Sequence, residues 1–507
     1  MNTVFASLRQ WWVTLLVLTS ILLLTMIPES LHQLLELRHQ EVAQGQWWRV
    51  YSCHFIHLSF NHMLLNFAGY AIVTFSFRDE ISPSRELLML FIACTAVGLG
   101  IHYLNPDMYS YVGLSGAIYG VLIAFVIIGF HQTPLIAGGF LGFIALKFVY
   151  EAIIGGADPN TEAFIGGKVA SDSHLYGALS GLIPGLLFFY RDEQQRRFYD
   201  TERFVRQFNT PIVKDLAWVL HSAPLLNVST KEYRTVSRQE WATIAWQFLP
   251  QLQALDQDPS PLQHAVNTDK LRLGLYFEAL LAYWLQHQQR YSLLQHGLKV
   301  HDGTRTVGEF DFIIRDNQTQ KIHHWEAAVK FYLGVGDYSE ASHWFGPGKK
   351  DRFDIKLTHL QDKQIRLSSD SHGKSTLDNL NLIVNERRLL IKGRLFYPQH
   401  AQHLSGNLQL SLEPQHLKGR WYTVSTVLAA TSPSILSFHF WEQPRFHIAE
   451  KSEWLVLKTT AKMDFKELQT FLRLQPPSHP FTIIATSSGR EKKRFFVVPD
   501  TWESDLR

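Results

Sequence analysis

The pattern of apolar positions divides the chain in two. Apolar stretches long enough to span a bilayer run at about 11–27, 58–77, 87–104, 112–130, 134–151 and 173–190, each flanked by charges or turn formers. They predict an all-α bundle of six transmembrane helices. The first stretch runs on into Ile27-Pro28-Glu29 with no small-x-small cleavage site behind it, so it reads as a span rather than a removable signal peptide. Past residue 192 the pattern changes. Residues 212–226 and 269–286 carry helical periodicity, and 307–334 reads as two strands about the polar turn Asp316-Asn317-Gln318-Thr319. From about 385 onward, short alternating segments such as Leu389-Leu390-Ile391-Lys392 and Trp454-Leu455-Val456-Leu457 predict a further strand-rich portion. The expected organisation is a polytopic membrane bundle over 1–192, a charged juxtamembrane connection over 193–211 and a soluble α+β domain over 212–507.

Composition fits that division. A chain of 507 residues exceeds one typical domain, and its mean hydropathy of -0.06 averages two unlike halves. A net charge of +3 says little about nucleic acid. Cys53 and Cys94, the two cysteines, sit in or beside apolar stretches and define neither a disulfide framework nor a metal site. No internal repeat or low-complexity run stands out. Basic residues orient the bundle: Arg9, Arg78, Arg85, Arg191, Arg196 and Arg197 fall on one side against Arg38, Arg49 and Lys168 on the other, which puts both ends in the cytoplasm. The second, fourth and sixth helices then enter from outside. By parity, His57, His62, Asn66, Ser115 and His174 share the outer leaflet, and polar groups converging at one depth are what a site requires.

A serine hydroxyl is a weak nucleophile near neutral pH and needs a base beside it, a task that suits imidazole. Ser115 is the expected nucleophile and His174 its base. Gly113 precedes the serine, Gly116 and Gly120 repeat at four-residue spacing after it, and Gly177 and Gly181 do the same after His174, so that two helix backbones can approach closely. Tyr119, one turn from Ser115, is expected to hold the imidazole in place. His62 and Asn66, four apart on one face, together with the Ser115 backbone N–H, form the expected oxyanion hole. His57 reads as a supporting loop group, and His54, Cys53 and Asn61 as bystanders. Each motif alone also reads blandly, the serine as a back-bonder to its own helix and the glycines as packing; it is their joint order, depth and spacing that argue for chemistry. Lys147 and Glu151, i and i+4, read as a compensating ion pair, with reception of a substrate tail as the alternative.

A second constellation lies in the soluble half. Glu309 and Asp311 alternate onto one face of the first predicted strand, and Glu326 and Lys330 share a face of the next. Asp311 and Glu326 could hold Mg²⁺, Glu278 on the preceding helix adding a ligand and Lys330 facing phosphate. The alternative is a solvated strand face with ordinary cross-strand pairs.

His57 with His62 and Asn66, Gly113-Leu114-Ser115-Gly116 with Tyr119, and His174 with Gly177 and Gly181 resemble the rhomboid intramembrane serine protease pattern over residues 1 to about 192. Trp47-Trp48-Arg49, Lys147 with Glu151, and the run Val169 to Leu179 look most like the rhombosortases among them. That resemblance implies a bacterial inner-membrane enzyme without cofactor, its site toward the outer face. Its substrates would be membrane-anchored exported proteins ending in a Gly-Gly motif, a hydrophobic helix and a basic tail. Residues 200–507, through Lys214 to Trp218, Leu273 to Glu278, Gly308 to Phe312 and His324 to Leu333, resemble a bacterial domain of unknown function related to P-D-(D/E)-x-K nucleases. This implies a restriction-endonuclease-like core at about 269–366 with a strand-rich extension, Mg²⁺ at the acidic strands and a nucleic-acid partner. The pattern departs from that superfamily at Ala328, which occupies the place of the second acid two positions before Lys330, while Glu326 lies four positions before it. Two readings follow: an intramembrane serine endopeptidase with a cytoplasmic appendage, or a metal-dependent nucleic-acid enzyme or binding module tethered by a rhomboid-like domain.

Overall fold

The computed structural model describes residues 2–154, 158–266, 272–401, 411–436, 443–487 and 490–506, with side chains from residue 10 onward. Leu271, the expected start of a helix, and the side chain of Arg9 lie outside the described residues. The chain forms two compact units, Met1–Arg196 and Arg197–Arg507.

Among the described residues, the first unit is built on six long helices, α1 (Asn2–Thr25), α2 (Phe60–Ser76), α3 (Pro83–Leu104), α4 (Ser115–Gly129), α5 (Pro134–Ile154) and α6 (Ser171–Tyr199), with shorter helices between them. Their starts follow local chemistry. Ser59 caps α2 by accepting from the His62 N–H, and Pro83 opens α3 where a missing N–H costs nothing. Among the described residues, α3 and α5 are long and apolar enough to cross a membrane, while Gln10–Thr25 and α4 are apolar but shorter. The helices that carry the expected site are not among those long and apolar enough: α2 has 17 residues and bears His62 and Asn66, α4 has 15 residues, and α6 bears His174 and a charged end.

α4 is the buried centre of the unit, with nearly every side chain from Gly116 to Gly129 enclosed. Its neighbours show the reverse pattern. Phe75 on α2, Leu135, Leu146 and Ile153 on α5, and Ile183 and Leu187 on α6 are exposed, an apolar outer surface far larger than water-soluble monomers present. Where α1, α2 and α3 meet, Glu86 is fully buried and accepts from Thr14 (2.6 Å), Tyr70 (2.8 Å) and Arg78 (3.0 Å), so that every charge there is paired. In the polar stretch after Tyr190, residues 193–199 are the last turns of α6, and Thr201–Val205 forms another short helix.

Among the described residues, the second unit is organised by a ten-stranded mixed sheet. Its strands are β1 (Arg234–Thr235), β2 (Tyr291–Asp302), β3 (Arg305–Asp316), β4 (Ile322–Gly334), β5 (Trp344–Phe345), β6 (Val384–Pro398), β7 (Leu417–Thr423), β8 (Arg445–Ala449), β9 (Phe481–Ser487) and β10 (Arg490–Val498). The order is β2-β3-β4-β6-β7-β10-β9-β8, with β1 on β6 and β5 on β4. The strand-rich portion expected from about 385 onward joins this same sheet. β6 pairs in parallel with β4 from Ile322↔Val384 to Leu333↔Phe396 and is continuous with the part expected to be a core of its own. Both faces of this centre are covered. Trp325, Phe331 and Leu390 pack with the helices α7 (Pro211–His221) and α8 (Leu273–His287), while Tyr332, Leu389 and Ile391 pack with α9 (Phe353–His359). With both faces covered, β4 is buried along nearly its whole length, and its apolar residues Trp325, Ala327, Ala328, Val329, Phe331, Tyr332 and Leu333 point to both sides. Two local expectations also change. The helix expected over 212–226 ends at His221, and Trp454-Leu455-Val456-Leu457 is irregular chain whose Leu455 and Val456 fill the core, because a short apolar run does not by itself distinguish a strand from a buried loop.

Candidate active site

Ser115 is the first residue of α4, where its backbone N–H has no partner within the helix. The residue before the turn explains the placement. Gly113 has φ +113°, and a Cβ there would lie 2.7 Å from the His62 ring, so both backbone and space demand glycine. The segment is fixed by buried groups: the Gly113 N–H donates to Cys53 O (2.8 Å), the Tyr111 hydroxyl donates to Gly113 O (3.1 Å), and His54 Nδ1 lies 3.3 Å from the same carbonyl. His54, read from the sequence as a bystander, is thus a support for the serine loop. Its total burial and lack of charged neighbours in sequence carried no signal that Gly113 was its partner.

His174, buried near the start of α6, places Nε2 3.1 Å from Ser115 Oγ. Glycine contact makes this approach possible. A Cβ on Gly177 would sit 1.8 Å from Gly116 O and one on Gly181 2.2 Å from Gly120 O, so α4 and α6 touch through their backbones. The Tyr119 ring lies 4.8 Å from the imidazole, centroid to centroid, against its flank. On the other side of His174, Lys147 Nζ stands 3.2 Å from Nδ1 and pairs with Glu151 Oε1 at 2.5 Å. The expected ion pair is therefore joined to the histidine, a contact between α5 and α6 that sequence spacing could not show.

His62 and Asn66 lie on the buried face of α2. The Leu58 N–H approaches His62 Nδ1 at 3.4 Å, which makes Nδ1 the acceptor and leaves the ring proton on Nε2, the atom beside Gly113. The Asn66 amide nitrogen is buried with no partner among the described residues, as are both ring nitrogens of His57, whose ring packs edge-on against His62 at 5.1 Å. Asn61 instead donates to Phe164 O. Ser115, His174, His62, Asn66, Tyr119, Lys147 and Glu151 border one cavity of about 1680 Å³. A hydroxyl, a facing imidazole and unpaired N–H donors around one space are the parts needed for acyl transfer.

In the second unit, Glu278 on α8, Asp311 on β3 and Glu326 on β4 lie close enough to perturb one another. Burial above all pushes Asp311 and Glu326 up to about 8 and Glu278 up to about 7; neighbouring carboxyls add to this at Asp311 and Glu278, whereas the hydrogen bond with Asp311 draws Glu326 back down. Protein donors already serve two of them: Ala327 N–H bonds Asp311 at 2.8 Å, while Glu326 is held by His324 at 2.7 Å and Gln364 at 2.9 Å. Lys330 pairs with Asp351 at 2.5 Å. The lysine whose charge acts on all three carboxyls is Lys356 of α9, from a segment to which the strand pattern gave no link. Glu309 stands across from Lys299 on β2. Among the described residues, no group of three or more His, Cys, Asp or Glu side chains is arranged to hold a metal ion.

Comparison with known proteins gives two matches to family models and one relative. Residues 44–191 match the rhomboid domain, and residues 214–498 match a domain of unknown function, DUF1853. The chain is similar to a protein of Bacillus subtilis (strain 168) named "Putative rhomboid protease YdcA", with 24% identity over 157 residues, covering 31% of this chain and 74% of that protein.

Proposed function

The chain belongs to the DUF1853 family and carries a rhomboid domain ahead of the family region, and from that premise we propose that its first unit is an intramembrane serine endopeptidase acting on membrane-anchored proteins. The observation that carries the reading is the 3.1 Å contact of His174 Nε2 with Ser115 Oγ, across 59 residues of sequence, at the wall of the cavity. Ser115 attacks the scissile carbonyl carbon as its proton passes to His174 Nε2, and the negative oxygen is met by the Ser115 N–H, His62 Nε2–H and the Asn66 amide. His174 then protonates the leaving amine, and water repeats the sequence on the acyl-enzyme to release the second product.

The finer reading rests on resemblance. The Lys147–Glu151 pair and the Trp47-Trp48-Arg49 run favour a rhombosortase-like enzyme that cuts exported proteins near a C-terminal Gly-Gly signal. Mass spectrometry of exported-protein C-termini, in cells carrying the parent or Ser115→Ala, tests this: processed termini present only with the parent identify the substrates, and identical termini in both exclude the proposal. The proposed setting is a bacterial inner membrane, crossed six times, with both ends cytoplasmic. Reporters fused after Tyr190 are expected to read cytoplasm, and those placed before Trp47 or after Asp158 exterior. An exterior reading after Tyr190 would overturn the orientation and, with it, the outward-facing site.

A second reading, a nucleic-acid enzyme or binding module in the second unit, draws only on Glu278, Asp311 and Glu326. No step through a cation is assigned to them, and protein donors engage oxygens of Asp311 and Glu326. Their raised values have a consequence for stability. Unfolded carboxyls titrate near 4, so between about pH 4 and pH 8 the unfolded chain has lost protons that the folded one keeps. Stability is therefore full at the low end and falls as pH rises toward 8, by on the order of a few kcal/mol. Urea unfolding of the full chain in micelles, followed by tryptophan fluorescence, is expected to show this slope, flattened in Asp311→Asn and unchanged by Mg²⁺. Recovery of stability at pH 8 by Mg²⁺, in the parent alone, would reinstate the metal-dependent reading.

A further inference from the structure

Lys147 has no part in the peptide chemistry above, yet its ammonium touches the base. Nζ lies 3.2 Å from His174 Nδ1, 2.5 Å from Glu151 Oε1 and 5.3 Å from the centroid of the Tyr119 ring. The ammonium of Lys147 carries three donors and no acceptor. His174 Nδ1 must then be the acceptor of that contact, and the single proton of the neutral ring sits on Nε2, facing Ser115. In that tautomer Nε2 has no lone pair for the serine proton. The ammonium also opposes the imidazolium that proton transfer would create, because like charges in contact repel. A carboxylate at Nδ1, as in a serine-histidine-aspartate triad, does the reverse on both counts.

We propose that Lys147 is a latch on the serine-histidine pair, holding His174 in the non-basic tautomer until a peptide segment in the cavity draws the ammonium away. The proposal rests on the protease reading of Ser115 and His174. Lys147 and Glu151 border the same cavity as Ser115, so a peptide unwound to present its scissile carbonyl also brings backbone carbonyl oxygens freed of their helical bonds. Those oxygens accept from Nζ. With Nζ moved, the Nδ1–H tautomer becomes available and Nε2 can take the proton of Ser115. Lys147 is in this sense a positioning residue that couples base strength to the arrival of substrate and suppresses idle hydrolysis.

The test is the rate at which a fluorophosphonate labels Ser115 in the full chain in micelles. Ser115 Oγ bonds to phosphorus, fluoride leaves with the electrons of the P–F bond, and the hydroxyl proton goes to His174 Nε2, so the probe needs the same base without a protein substrate. Lys147→Met and the double variant Lys147→Met/Glu151→Gln are expected to label about tenfold faster than the parent or more. The double variant covers the case in which an unpaired Glu151 prevents folding. Lys147→Arg, which keeps a donor-only cation, is expected to label no faster than the parent, and Ser115→Ala not at all. A lysine with a purely structural role cannot raise the rate by its removal. If the parent labels at Ser115 and both lysine-free variants label no faster, the latch is overturned and the protease reading stands. If Ser115 labels in none of them, the serine-histidine reading itself falls and the latch with it.

Discussion

Ser115→Ala and His174→Ala are each expected to lower substrate processing by on the order of 10⁴-fold or more, with the protein still folded and inserted. The first removes the nucleophile and the second the base facing it, 3.1 Å away. Neither adds bulk where α4 and α6 touch, so the loss falls on chemistry rather than packing. Asn66→Ala and His62→Ala are expected to cost less, on the order of 100-fold each, because the Ser115 N–H remains as an oxyanion donor. Turnover in proteoliposomes, with thermal stability measured on the same preparations, separates these effects. Near-parental turnover by Ser115→Ala would end the case for the dyad.

Gly177→Ala is expected to abolish measurable activity without touching a reacting atom. Its Cβ would lie 1.8 Å from Gly116 O, and both sides of that contact are backbone, so α4 and α6 must separate by about an ångström or more. A displacement of that size between nucleophile and base costs on the order of 100-fold, and separation along the whole contact adds to it. Gly181→Ala, at 2.2 Å from Gly120 O, is expected to act the same way. Gly138→Ala and Gly139→Ala on α5 serve as controls, since a Cβ at either meets nothing within 4 Å, and both are expected to keep parental activity and stability. Full activity in Gly177→Ala would show that the helices can part without disturbing the dyad, which the backbone contact argues against.

The contrast between the glycines also shows how sequence and structure divide the information. Four-residue spacing marked Gly116, Gly120, Gly177 and Gly181 as sites of close approach before any coordinates, because small residues at that period line one helix face. Helix parity placed Ser115 and His174 at a common depth for an equally local reason: each apolar run must turn back at its polar ends. The β3–β4 hairpin was legible as well, since a polar turn joins two adjacent runs. The contacts that only the tertiary structure decided all join segments with no periodicity in common. His54 reaches Gly113 across 59 residues, Lys147 reaches His174 across 27, and Lys356 comes to the carboxyls of α8, β3 and β4 from a helix beyond the hairpin. The single sheet belongs to the same class, because a parallel β4–β6 pair needs a long crossover whose strands carry no mark of their partner. Periodicity along the chain records which face of an element is buried, so the sequence by itself determined the elements and their faces. Which faces meet depends on how all of them pack at once, and that the tertiary structure alone decided.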